Sequence, residues 1–186
     1  MLDKYSSKVI FSENQFNEWT CLNDTIMGGS SSALCTNTPQ GLLLRGELVD
    51  INGGFISCRS QLFNPPLNLN SFLGLQLKLD AQGRTLKLAL SIKDSIFGIK
   101  EIAPAGLRWV TTFPTEENGS TIINIPFVQL RPNIRAKKVN LPVSFNSRSI
   151  FRIQLLYSKF GDSGKLNPNF TPGPFQLLLR SINAYK

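Results

Sequence analysis

Residues 75–93 read LQLKLDAQGRTLKLALSIK, and this stretch decides the fold class. Leu75, Leu77 and Leu79 alternate with Gln76, Lys78 and Asp80. After Asp80-Ala81-Gln82-Gly83, a turn signal, Leu86, Leu88, Leu90 and Ile92 alternate with Lys87, Ala89, Ser91 and Lys93. A period of two puts every apolar side chain on one side of an extended chain, which predicts two half-buried strands joined by a tight connection. The pattern recurs outward in the chain. Phe151, Ile153, Leu155 and Tyr157 share one side, with Arg152 and Gln154 on the other. Residues 42–49 and 175–182 are apolar on both faces in part, as expected of central strands covered on both sides.

Turn residues fall between these runs, at Asn52-Gly53-Gly54, Asn64-Pro65-Pro66, Glu117-Asn118-Gly119 and Pro172-Gly173-Pro174. Short strands with regular turns imply a sandwich or barrel. No long stretch carries a helical period; only short helical turns are expected, at residues 12–19, with Ser12 as cap, and at residues 67–72. Residues 128–142 are the least strand-like and read as a long loop. This loop holds a basic patch of Arg131, Arg135, Lys137 and Lys138. No linker divides the chain, so residues 1–186 are expected to form one domain.

Composition narrows the chemistry. With 41% hydrophobic and 17% charged residues the chain is a folding sequence, not a disordered one. The net charge of +8 favours nucleic acid, anionic lipid or an acidic protein without choosing among them. There is no His, which excludes Ser-His and Cys-His catalysis within the chain and any zinc site that uses His. Three cysteines, Cys21, Cys35 and Cys58, are too few for a four-thiolate zinc site, and they lack a pairing motif. They read as reduced, packed thiols, which points to the cytoplasm. Glu116 and Glu117 are adjacent, and on a strand would face opposite ways, so they do not make a catalytic carboxylate pair. No EF-type spacing supports calcium, and no cofactor or metal is expected. Residues 1–11 lack the apolar core of a signal peptide, and no run is long enough to span a membrane.

Three segments stand out. In residues 19–32, WTCLNDTIMGGSSS, Gly28 and Gly29 allow positive φ and close backbone approach, and Asn23 and Asp24 are placed to accept backbone N–H bonds. One reading is a rigid turn with Asp24 as a buried anchor. The other is a ligand-facing loop that uses Asp24 and the serine hydroxyls, with Met27 and Ser30 among its site residues. In residues 52–60, NGGFISCRS, a hairpin-like reversal leads to a strand with Arg59 among apolar neighbours. That guanidinium either pairs with a carboxylate such as Asp24 or binds an outside anion. In residues 155–175, Tyr157, Ser158, Lys159, Phe160, Asn167 and Phe170 belong to a loop mixing aromatic, basic and turn residues. Such a loop suits stacking or a small satellite core.

These segments carry a resemblance. Trp19, the run from Asn23 through Asp24, Gly28, Gly29 and Ser30 to Ser32, and then Gly46 resemble the opening motif of the complex I intermediate-associated protein family. Residues 52–60 look like its second block, Gly83-Arg84-Thr85 its third, and residues 173–182 its closing strand. Tyr157-Ser158-Lys159-Phe160 with residues 165–170 is similar to the cyanobacterial and chloroplast version of the domain. That version also occurs fused to a nucleotide-binding reductase-like domain in a photosystem II biogenesis factor. No GxGxxG unit of such a partner is present here. The resemblance implies a jelly-roll sandwich, galactose-binding-domain-like, and a non-catalytic assembly factor for a membrane electron-transfer or photosynthetic complex. It implies partners among that complex's subunits or other assembly factors, and a place in the cytoplasm or peripheral at the cytoplasmic face of a thylakoid or plasma membrane. RNA binding and carbohydrate binding are the alternatives. The family's usual Trp is replaced at Asn118-Gly119-Ser120-Thr121, which removes an aromatic platform from that edge.

Overall fold

A computed structural model describes residues 7–92, 106–134, 137–140 and 144–186; Arg135 of the expected basic patch, and Lys93, lie outside the described residues. The alternating segments form strands in two antiparallel sheets. The first sheet comprises β1 (Lys8–Phe11), β3 (Ser32–Thr38), β4 (Gly41–Leu48), β6 (Gly74–Asp80), β9 (Thr121–Pro126) and β13 (Gly173–Tyr185). Its order is β3-β4-β13-β6-β9, with β1 also on β13. The second comprises β2 (Thr20–Cys21), β5 (Phe55–Arg59), β7 (Leu86–Ile92), β8 (Arg108–Phe113), β10 (Arg131–Ile134), β11 (Lys137–Lys138) and β12 (Ile150–Ser158). Its order is β11-β10-β8-β7-β12-β5-β2.

The core lies between the sheets, as the alternation demands. Leu75, Leu77 and Leu79 of β6 are fully buried, and Leu86, Leu88 and Leu90 of β7 face them from the other sheet. Each such side chain contributes about 1.5–3 kcal/mol by leaving water. β4 and β13 are central strands, but they are covered on one face only. Leu42, Leu44, Leu177 and Leu179 are buried, whereas Leu43 and Leu178 on the opposite face are only half-buried. Their extra leucines cover the outer side of a sheet, and burial between layers is not required to explain them.

Three local expectations change. The Asn52-Gly53-Gly54 turn does not close a hairpin: β4 and β5 lie in different sheets, so this turn carries the chain across the sandwich. The segment expected as one long basic loop instead forms a 3-10 turn at Phe127–Gln129, then β10 and β11 at the sheet edge. Pro132, buried opposite Trp109, turns inward, while Asn133, in register with Arg108, is buried on the outer face, where its amide donates to the Asp162 carbonyl; composition alone hid both. Residues 12–19 and 67–72 make turns only. Ser12 does not cap a helix; its N–H and hydroxyl both bond the Gln15 side-chain oxygen. Among the described residues, 3-10 turns sit at Asp24–Met27 and Phe127–Gln129.

Candidate functional site

Asp24 is the hub of one sandwich end. Its side chain is fully buried and its carboxylate accepts four hydrogen bonds. Oδ1 takes the Ser31 N–H at 2.9 Å; Oδ2 takes the Ser31 hydroxyl at 2.7 Å, the Gly54 N–H at 2.7 Å and the Phe55 N–H at 3.4 Å. Burial pushes the carboxyl up, but the Ser31 hydroxyl and the three backbone donors outweigh it and hold it below the ordinary carboxylate value. Two glycines make this possible. A Cβ on Gly29 would stand 2.3 Å from the Asp24 carboxyl carbon, and one on Gly53 2.5 Å from Oδ2. Gly28 has open space around it but a φ of 87°, which closes the 3-10 turn. Asp24 is therefore an anchor, the first of the two roles its sequence context allowed. Asn23 takes no part in this bracing. It makes no side-chain capping bond, and its Oδ1 is buried without a partner among the described residues.

The third segment joins the same end. The Lys159 N–H donates to the Gly54 carbonyl at 2.8 Å, and the Lys159 ammonium lies 3.7 Å from the Asp50 carboxylate. Asn167 is buried; its amide donates to the carbonyls of Thr85 and Ser158, and its N–H to that of Lys159. Tyr157 is buried in the core, stacked on Phe175 at 4.7 Å and packed against Phe170. Its hydroxyl donates to the Thr171 carbonyl and accepts the Thr171 N–H, and the Arg84 guanidinium also donates to it. Tyr157, Ser158, Asn167 and Phe170 thus hold the loop in place, and Lys159 is engaged by Asp50. The hydrogen-bonded scaffold leaves large apolar side chains in water: Ile26, Met27, Ile51, Phe160 and Leu166, of which Met27 and Ile51 are each 68% exposed. Gly28 and Ser30 are exposed beside them.

Arg59 does not belong to this end and does not pair with Asp24. It closes β5, four residues beyond Phe55, about 13 Å along the strand. Cys58 faces the core, so Arg59 faces the outer side of the seven-stranded sheet, in register with Thr20 and Gln154. Two arginines that alternation alone does not mark as functional lie on the same face: Arg152 of β12 and Arg108 of β8, both paired in register with Ser91. Arg108 Nη1 donates to Gln154 Oε1 at 2.8 Å, and Gln154 Nε2 donates to Ser57 Oγ at 2.8 Å; Ser57 Oγ in turn donates to the Leu22 carbonyl. Their signal was present in the alternation, since Arg152 and Gln154 occupy the non-core side of their strand. Only the strand order brings β5, β12, β7 and β8 side by side.

The described part of the basic patch is separate. Lys137 and Lys138 are exposed on β11, and Arg131 on β10 donates to the carbonyls of Val128 and Leu130. Arg131 and Lys138 border a cleft of about 740 Å³ that Trp109, Phe127 and Phe145 help to line. The thiols form a cluster of their own. Cys21 Sγ and Cys35 Sγ are 2.8 Å apart and free. Hydrogen bonding to Cys35, then burial, pushes the Cys21 thiol up. For Cys35 the bond to Cys21 pulls down, but Cys58 and burial push harder and the net shift is up. Neither is an activated nucleophile. Glu116 and Glu117 are exposed in the turn after β8. Among the described residues, no group of three or more His, Cys, Asp or Glu side chains is placed to hold a metal ion, and no helix is long and apolar enough to cross a membrane.

Two packed antiparallel sheets, with irregular loops gathered at one end, define a jelly-roll β-sandwich of the kind found in carbohydrate-binding modules. A family 11 carbohydrate-binding module from Clostridium thermocellum, solved with a β-1,3-1,4-mixed-linked tetrasaccharide, superposes with a TM-score of 0.63 at 16% identity, covering 96% of this chain and 94% of that one. The family 11 module of the cellulosomal cellulase Lic26A-Cel5E from the same organism gives 0.62 at 15% identity, over 96% and 93%. An agarase gives 0.56 at 7% identity, over 95% of this chain and 24% of its own. At such identities the likeness is one of fold. The chain itself belongs to the family of Complex I intermediate-associated protein 30, which it matches over residues 9–179. No curated protein matches it.

Proposed function

We propose that this domain works without catalysis, as an assembly factor that docks a protein partner during maturation of a membrane electron-transfer or photosynthetic complex. Family membership supports the assembly role. One observation carries the docking. Three loops, bonded to one another through Asp24, Gly54 and Lys159, hold Ile26, Met27, Ile51, Phe160 and Leu166 exposed. Large apolar groups kept in water on a braced scaffold lose little conformational entropy when a partner covers them, which favours protein association. Carbohydrate binding is less well supported. Both tryptophans are buried, Trp19 against Phe11 and Phe16 and Trp109 against Phe145, so neither offers a platform to a sugar ring.

The test is recovery of partners from the native host by a tagged protein, with and without ribonuclease. The wild type is expected to retain membrane-complex subunits through ribonuclease treatment. Ile26→Ser with Met27→Ser is expected to lose them while its stability to urea stays within about 0.5 kcal/mol of wild type, since both side chains are exposed. Undiminished recovery by the double variant would remove the loop end from the contact. Recovery that collapses with ribonuclease would transfer the role to RNA.

A further inference from the structure

The outer face of the seven-stranded sheet gathers Arg59, Arg108 and Arg152 around a floor made by Gln154, Ala89 and Ser91. The small Ala89 on the intervening strand lets Arg108 reach from β8 across β7 to Gln154. Gln154 is itself fixed, since its oxygen is taken by Arg108 and its nitrogen by Ser57. The floor is thus pre-formed. Among the described residues its cations are not fully answered: the Nε of Arg59 and the Nε of Arg152 are buried and have no acceptor there. No carboxylate among the described residues forms an ion pair with any of the three; the ion pair that is formed, Lys159 with Asp50, lies elsewhere. Asp162 accepts from Thr112, and its charge acts on Lys87. Burial and the charge of Arg59 both disfavour the charged forms of Arg108 and Arg152, and Arg108 adds to the effect on Arg152. Partly desolvated like charges with unfilled N–H groups are unfavourable until an anion joins them.

We propose that this arginine cluster is a receptor for the carboxylates of an acidic peptide segment on the protein partner. The guanidinium fork matches a carboxylate in two parallel hydrogen bonds, and three forks on one rigid sheet suit successive acidic side chains. Binding of a single strand by stacking of its bases has no platform here. The floor between the arginines offers only Gln154, Ala89 and Ser91, and Trp109 of the adjoining strand is turned into the core. This inference rests on the protein-docking reading and assigns it a second contact, distinct from the apolar loop end.

The probe is a fluorescent hexaglutamate peptide, followed by anisotropy against the whole protein at low salt. Binding is expected, and Arg59→Gln with Arg152→Gln is expected to weaken it roughly tenfold or more. Lys137→Gln with Lys138→Gln, which removes the same charge at the sheet edge, is expected to change it by about twofold or less. Arg59→Lys keeps the charge but loses the fork; a clear loss of affinity there supports the bidentate geometry and serves if the double variant does not fold. Absence of binding by the wild type, or equal loss from both double variants, overturns the inference. So does an oligouridylate that displaces the peptide at lower concentration and depends on the same arginines. Ile26→Ser with Met27→Ser is expected to leave peptide binding intact. A failure of the peptide experiment beside a positive capture experiment therefore removes this receptor and spares the loop end, and the opposite pattern does the reverse.

Discussion

A carboxylate that loses its water on folding must recover its hydrogen bonds from the chain, and Asp24 recovers four. Three of the donors are backbone N–H groups. Asp24→Ala would leave them buried and unpaired, and is expected to lower stability by about 3–5 kcal/mol. Gly53→Ala, which drives a Cβ to 2.5 Å from the same carboxylate, is expected to cost about 1–3 kcal/mol. Because the folded-state carboxyl titrates below its unfolded value, its contribution is present above the unfolded pKa and is lost as pH falls through the folded one. Asp24→Ala should therefore also flatten the acid limb of the stability curve. Urea unfolding of both variants near neutral pH, and of Asp24→Ala down the acid limb, checks this. A loss under about 1 kcal/mol for Asp24→Ala would mean that the loop is not braced by this side chain.

At the scale of elements, the loop after β12 folds back over the outer face of its own sheet and buries Lys87 of β7. The Lys87 ammonium reaches the Gly161 carbonyl at 3.4 Å, Thr112 donates to Asp162, and the Asn133 amide donates to the Asp162 carbonyl. Desolvation is the largest influence on Lys87; Asp162 opposes it, Arg108 reinforces it, and the pKa is pushed down to about 8 from 10.5. Between those values the unfolded chain binds more protons, so the wild type gains stability as pH rises through that window, and the penalty is full below it. Lys87→Met is thus expected to be more stable than wild type near neutral pH, by on the order of 2–3 kcal/mol, with the advantage closing towards the unfolded pKa. Paired urea titrations at the two ends of the window read the difference; a gap that does not change with pH would contradict the burial of a charged amine. Alternation made the strands themselves legible in residues 75–92 and 151–157. What alternation does not encode is the order of strands. The crossing of the sandwich at Gly53-Gly54, the edge strands β10 and β11 and the meeting of Arg59 with Arg108 and Arg152 all depend on that order. The role of Asp24 was half legible, because glycines flanking an acid announce a tight turn but not which backbone amides it will hold.

At the scale of the molecule, the question is whether two sheets of this size behave as one folding unit. Buried hydrophobic side chains from both sheets join in one cluster, and its two tryptophans report from opposite sides of the second sheet. Trp19 sits before β2 with Phe11 and Phe16 around it; Trp109 sits on β8 against Phe145. β13 ties the first sheet together by pairing with β4 over Gly173–Leu179, with β6 over Leu178–Tyr185 and with β1 near its end. The turns at Gly53-Gly54 and residues 81–85 carry the chain directly from one sheet to the other. Neither layer can therefore leave without exposing the leucines of the other, which is the condition for a cooperative transition. Trp19→Phe and Trp109→Phe, each leaving one fluorescent reporter, are expected to give urea midpoints that agree with the far-ultraviolet circular dichroism of the same variant to within about 0.3 M. Separated midpoints within one variant would split the chain into units that unfold independently. Coincidence would also bear on how a partner is held. The apolar loop end and the arginine face would then be fixed relative to each other by one cooperative core, so a partner bridging them would meet a rigid pair of contacts and gain from both without an ordering penalty between them.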